Sequence, residues 1–150
     1  MSRRPLLLAA ILILSSLTIA PVSAQQSPLP GIEITCMNEE NPLFLEPNSN
    51  SAQATATCTI ENPSSFNEDI EIDYDGDWLT MVGPESMSLE AGAEETIQIM
   101  VSSNSLASTV YNMTVSVQVT SVQGQDWLTF LDMFLPSDET NIVAQRAEFV

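Results

Sequence analysis

The stretch Ala52-Gln53-Ala54-Thr55-Ala56-Thr57-Cys58-Thr59-Ile60 decides the fold. Its even positions are apolar and its odd positions polar, so in an extended chain all the apolar side chains share one face. A segment that is buried on one side and wet on the other is a strand of an antiparallel sheet. The same period of two recurs at Ile70, Ile72 and Tyr74, at Ile97, Ile99 and Val101, and at Tyr111, Met113, Val115, Val117 and Val119. Shorter extended pieces are read at Ile32 to Cys36, Leu43 to Leu45, Trp78 to Val82 and Met87 to Leu89.

Turn-forming residues fill the intervals: Glu46-Pro47-Asn48-Ser49-Asn50, Asn62-Pro63-Ser64-Ser65, Asp75-Gly76-Asp77, Gly83-Pro84 and Glu90-Ala91-Gly92. These residues either supply unusual backbone angles or hydrogen-bond their own backbone. About seven to eight short strands separated in this way predict an all-β antiparallel sandwich over residues 31–135. Its core is expected to hold Ala54, Ala56, Ile60, Ile70, Ile72, Ile97, Ile99, Val115 and Val117. Trp127 to Leu135 reads as a final buried strand, with a short amphipathic helix as the alternative, and residues 136–150 read as a polar C-terminal tail with little to bury.

Ahead of this region, residues 1–24 have the form of a signal peptide: Arg3 and Arg4, an apolar run from Leu6 to Ala20, and small residues before a cleavage point after Ala24. Retention as a membrane anchor is the alternative, but the run is short against the roughly 20 residues a span requires. Residues 25–30 are a short Pro-containing linker. The mature chain is therefore expected to be secreted or held at the cell surface. In that oxidising space the only two cysteines, Cys36 and Cys58, are expected to form a disulfide.

The charge narrows the function classes further. The 150-residue chain has 20 acidic residues, three Lys or Arg, and no His. Beyond residue 24 the only cation is Arg146 against all the acids, a formal charge of −19. Nucleic acids and anionic membranes are excluded as partners, because binding them needs cations to displace counterions. Such acidity matches a solvated surface adapted to saline surroundings, the rival being an acidic face for a cationic partner. Without His or Lys no Ser or Cys has its usual activating base. Paired carboxylates for glycoside hydrolysis remain possible by count alone.

Three further features are candidates. Asp73, Asp75 and Asp77 concentrate calcium-type oxygens, but an EF-hand needs Gly at its sixth position and Glu at its twelfth, and Trp78 and Pro84 stand there. Asn112-Met113-Thr114 is a glycosylation sequon, whereas Asn62-Pro63-Ser64 is disqualified by its proline. Tyr111 is a candidate for the corner tyrosine that pins a sandwich crossover.

The order of the segments also resembles a family. Leu45-Glu46-Pro47-Asn48-Ser49 leads into the Thr-rich strand that ends Thr59-Ile60-Glu61-Asn62-Pro63. An Ile-x-Ile strand, Trp78, Leu89-Glu90-Ala91-Gly92 and Tyr111-Asn112-Met113-Thr114-Val115 follow. This resembles immunoglobulin-like modules of bacterial and archaeal surface proteins, of the α-galactosidase-associated and cell-adhesion-related type, although Asn48 stands where that family usually has Gly. The resemblance covers roughly residues 31–122 and implies an immunoglobulin-like sandwich, its turn and core motifs being nearly silent on function. With no His or Lys to activate a nucleophile, the expected role is binding, adhesion or structure without catalytic activity or cofactor, with a protein or glycan partner at the cell surface. The alternatives are a carbohydrate- or calcium-binding accessory module and, third, a small carboxylate-dependent hydrolase.

Overall fold

The computed structural model describes residues 25–37, 42–47, 51–104, 110–123 and 135–146. These form nine strands and, among the described residues, no helix: β1 (Glu33–Cys36), β2 (Leu43–Pro47), β3 (Ala52–Glu61), β4 (Glu68–Gly76), β5 (Thr80–Val82), β6 (Ser86–Leu89), β7 (Glu94–Ser103), β8 (Val110–Val122) and β9 (Ser137–Arg146). They follow one another across the sheet as β5-β7-β3-β2-β9-β8-β4-β6, with β1 also paired to β3. The sheet curls so that side chains from both halves enter one apolar cluster. Ile60, Ile70, Ile72, Ile99, Val115 and Val117 lie at its centre.

β3 is the hub, paired on both sides, with Ala56, Cys58 and Ile60 fully buried on its inward face. It pairs with β7 along its whole length, from Ala52 opposite Ser103 to Glu61 opposite Glu94. On its other side it pairs with β1 near its end and with β2 near its start. β2 then leaves β3 and runs parallel to β9, Leu43 to Leu45 opposite Ala144 to Arg146. Ala54, expected in the core, is only partly buried, because it lines the hollow that opens where β2 departs. At the other seam, the Asp138 carboxylate on β9 accepts the Ile34 N–H of β1 at 2.9 Å, covering part of the β1 edge.

β4 and β8 pair antiparallel with one irregularity: Asp69 faces Ser121 but Ile70 faces Val119. The extra residue, Thr120, lets both Val119 and Val122 point inward, since a bulge resets the alternation.

Two expectations are corrected. Within the expected tail 136–150, the described residues are not a tail with little to bury: β9 pairs with β8 from Ser137 to Gln145 and buries Thr140, Ile142 and Ala144. Small and polar inward residues hide this alternation in the sequence. Nor is every pairing antiparallel, since β2 and β9 run in the same direction. The final strand expected over Trp127 to Leu135 falls, apart from Leu135, outside the described residues, as do residues 1–24.

Candidate functional site

Cys36 and Cys58 are direct register partners on β1 and β3 and form a disulfide, with their Cα atoms 4.0 Å apart. That separation belongs to the closer of the two antiparallel pair types, in which facing side chains meet. The Met37 N–H donates to Thr57 O beside it. Both sulfurs are buried, so the bond is a staple inside the core rather than a surface group.

The proposed calcium ligands are placed differently. Asp73 and Asp75 are alternate outward residues of β4, facing Ser116 and Thr114 on β8, and Asp77 lies in the turn beyond. Alternate strand residues sit about 6.8 Å apart along the strand. Calcium oxygens must all lie about 2.4 Å from a common centre. Among the described residues no three acidic or cysteine side chains converge closely enough to hold a metal. Asn112 is exposed on β8 opposite Val143, open to solvent as its alternation with the buried Tyr111 and Met113 requires.

The turn after β4 carries Trp78 at the surface. Its side chain is 72% exposed, and its backbone has φ 65°, a left-handed conformation that bulky residues rarely adopt. Ser103 Oγ donates to Trp78 O at 3.0 Å and helps to hold the turn. Nearby, the Tyr74 hydroxyl donates to Pro84 O at 2.5 Å. Burial, reinforced by the Glu85 charge, pushes the Tyr74 phenol above its ordinary value. Gly83 leaves room for this hydroxyl: a Cβ there would lie 2.6 Å from Tyr74 Oη.

A second constellation, which sequence reasoning passed over, lies where the turn after β3 enters β4. Asn62 is fully buried, and its amide Nδ2 donates to Phe66 O at 2.7 Å and Glu90 O at 3.1 Å. Its Oδ1 accepts from Ser64 N at 3.0 Å and from Ser64 Oγ at 2.7 Å. Ser64 Oγ also lies 2.8 Å from Glu68 Oε1, which accepts the Gly31 N–H at 3.0 Å. Glu68 is only 1% exposed and Oε2 has no hydrogen-bond partner. Burial drives its carboxyl above the usual carboxylate range, against the lowering effect of the Ser64 and Gly31 hydrogen bonds. One signal was available: Glu68 is in phase with Ile70 and Ile72 on the buried face of β4. Its neighbour Asp69 points outward, and bonds from Ser121 at 2.6 Å and from Ser88 lower its pKa. Asn67, Glu68, Asp69, Ser88, Leu89, Glu90 and Gln123 line a surface hollow of about 740 Å³.

Three solved structures share the architecture. A FixG-related protein from Vibrio parahaemolyticus superimposes with a TM-score of 0.53 and 13% identity, over 79% of this chain and 97% of that one. The seventh PapD-like (ASH) domain of human CEP192 gives 0.54 and 12%, over 91% and 97%. The periplasmic chaperone SfaE gives 0.50 and 10%, over 79% of this chain and 59% of its own. At such identities the likeness is one of fold, and it is PapD-like and immunoglobulin-like. No protein-family model and no curated protein sequence matches the chain.

Proposed function

We propose that this chain is a non-catalytic binding, adhesive or structural module of the cell exterior, secreted or surface-attached, with a protein or glycan partner there. The observation that carries the reading is an immunoglobulin-like fold stapled in its core by Cys36–Cys58, since such bonds form and persist in oxidising compartments. The likeness to a periplasmic chaperone supports the location. The residue chemistry supports the absence of catalysis, because neither His nor Lys is available to activate a nucleophile. The finer kinship to α-galactosidase-associated modules rests on the turn motifs alone. To test the reading, the full chain is expressed with its leader and fractionated. The expected product lies outside the cytoplasm, begins at Gln25 and gains about 2 Da on reduction, one hydrogen per sulfur. A cytoplasmic product with two alkylatable thiols would refute it.

Exposed Trp78 favours a second reading, carbohydrate binding, because an indole face stacks on sugar rings as it does on other apolar surfaces. Affinity electrophoresis through polysaccharide gels compares the native chain with Trp78→Ala. Retardation lost in the variant supports the reading, and equal mobility of the two removes it.

A further inference from the structure

The strongest unexplained feature is a count of protons around Ser64. Its single hydroxyl proton faces two oxygens at short distance, Asn62 Oδ1 at 2.7 Å and Glu68 Oε1 at 2.8 Å, and a third, Phe66 O, at 3.2 Å. The Asn62 amide cannot be turned to relieve this, because its Nδ2 already donates to the Phe66 and Glu90 carbonyls and its Oδ1 accepts Ser64 N–H. With an ionised Glu68, one of the two short oxygen pairs would have no hydrogen between its members. A buried carboxylate with no cationic side chain near it would also stand uncompensated. Beyond residue 4 the only cationic side chain is Arg146. It lies by the Val110 end of β8, whereas Glu68 pairs with Val122 at the other end, about 40 Å along the strand.

A proton on Glu68 Oε1 gives a hydrogen to both short oxygen pairs and leaves only the longer Ser64 Oγ–Phe66 O approach, 3.2 Å, without one. Glu68 donates to Ser64 Oγ, Ser64 passes its own proton to Asn62 Oδ1, and the Ser64 oxygen still accepts Phe66 N–H at 3.2 Å. The same carboxyl holds the chain ahead of β1 through Gly31 N–H. That segment lies against the body through Ser27 N–H to Pro63 O at 2.8 Å and Ser65 N–H to Ser27 O at 2.9 Å. Its Gln26 amide packs so closely on Gly92 (φ 70°) that a Cβ there would lie within 2.3 Å of Nε2. Residues 25–31 are thus a strap, and Glu68 is its innermost fastening.

We propose that Glu68 is a proton-gated latch, folded as a neutral carboxylic acid that fastens residues 25–31 to the turn at 62–67 and, on ionising, swings into the neighbouring hollow and frees them. Among the described residues the charged side chains around it are all acidic. Asp69, although it points outward from β4, lines the hollow together with Glu90 after β6. Glu61 at the end of β3 and Glu33 on β1 both face outward, and Asp138 on β9 is bound to Ile34 N–H. β8 and the turn bring no charge, and the strap of the mature chain brings only the α-amino group of Gln25, six residues before Gly31. Among the described residues no cationic side chain near Glu68 offers a partner to a carboxylate, so ionisation is relieved by movement toward water.

The folded carboxyl titrates above its unfolded value. Its stabilising effect is therefore complete below the unfolded glutamate pKa and is lost as pH rises through the folded one. The test is carboxyl-carbon NMR on the mature chain between pH 4 and 8, together with amide exchange at Gly31 and, as a core reference, Ile99. Glu68 is expected to titrate above the other glutamates. Over that window Gly31 protection should fall by up to about tenfold per pH unit, the limit for opening linked to one proton, while Ile99 holds. Glu68→Gln, which cannot ionise, should abolish the Gly31 step; if that variant does not fold, the native titration and exchange decide alone. Glu68 titrating with the other glutamates, or Gly31 protection unchanged across its titration, would overturn the latch.

Discussion

Replacing Glu61 with Gln should stabilise this protein. Glu61 stands in the middle of a row: Glu33 on β1 is its register partner on one side and Glu94 on β7 on the other, and all three carboxylates face solvent. Directly opposed like charges each cost about 0.2–1 kcal/mol. Glu61→Gln removes two such pairs while keeping the side-chain shape, so a gain of about 1 kcal/mol is expected at low ionic strength. At about 2.1 cal/mol/K of unfolding entropy per residue, that corresponds to a rise of about 4 °C in Tm for a chain of this size. In 1 M salt the screening length falls to about 3 Å and most of the gain should vanish. Removing any acid from so negative a chain relieves some general repulsion, which makes a reference necessary. Glu139→Gln serves, because Glu139 faces Ser116 and the next carboxylate in that row, Asp73, lies two strands away. Urea melts of the native chain and both variants, at 10 mM and 1 M salt, measure the difference. A Glu61→Gln gain no larger than that of Glu139→Gln at low salt would refute the assignment of strain to the opposed row.

Three other outcomes are expected. Changing Cys36 and Cys58 together to Ala opens a loop with a sequence separation of 22; on the chain-entropy model this costs about 3 kcal/mol, read as a lower urea midpoint. Ile142→Ala should cost about 2–5 kcal/mol, because Ile142 is fully buried on β9; a loss below 0.5 kcal/mol would mean that β9 is dispensable. Asp69 is held below its ordinary pKa by Ser121 and Ser88, so its contribution is present above the unfolded aspartate pKa and lost as pH falls through the folded one. Ser121→Ala should therefore flatten the acid limb of the stability profile, and an unchanged limb would count against the bond.

The parts of this fold that could be read from sequence were those where chemistry alternates strongly. The run from Ala52 to Ile60, the Ile pairs at 70–72 and 97–99, and Tyr111 to Val119 declared their buried faces, and two cysteines behind a segment with the form of a leader led to the expected bond. β9 was silent because Ile142 is its only large inward residue, while Thr140 and Ala144 carry little apolar signal. The parallel pairing of β2 with β9 was out of reach, since nothing local in either segment encodes a register to a partner 100 residues away. The acidic run on β4 drew attention to the wrong carboxylates. Alternation spreads Asp73 and Asp75 along the solvent face, whereas Glu68, the one acid of that strand in phase with the isoleucines, carries the unusual chemistry.

The placement of the disulfide also governs how the molecule bears tension. β2 lies between Cys36 and Cys58 in the chain, so a pull on the N-terminus passes through the sulfurs straight into β3 and bypasses β2. In the oxidised protein the parallel β2–β9 contact is therefore outside the direct line of force. Reduction reroutes the load through β2. Being parallel to β9, it is then drawn in the opposite sense to a pull on the C-terminus, and its hydrogen bonds are sheared together rather than unzipped in turn. Reduction also releases a hidden length of about 70 Å, at roughly 3.3–3.6 Å per residue. Single-molecule stretching with and without reductant should read both the added length and the new rupture step.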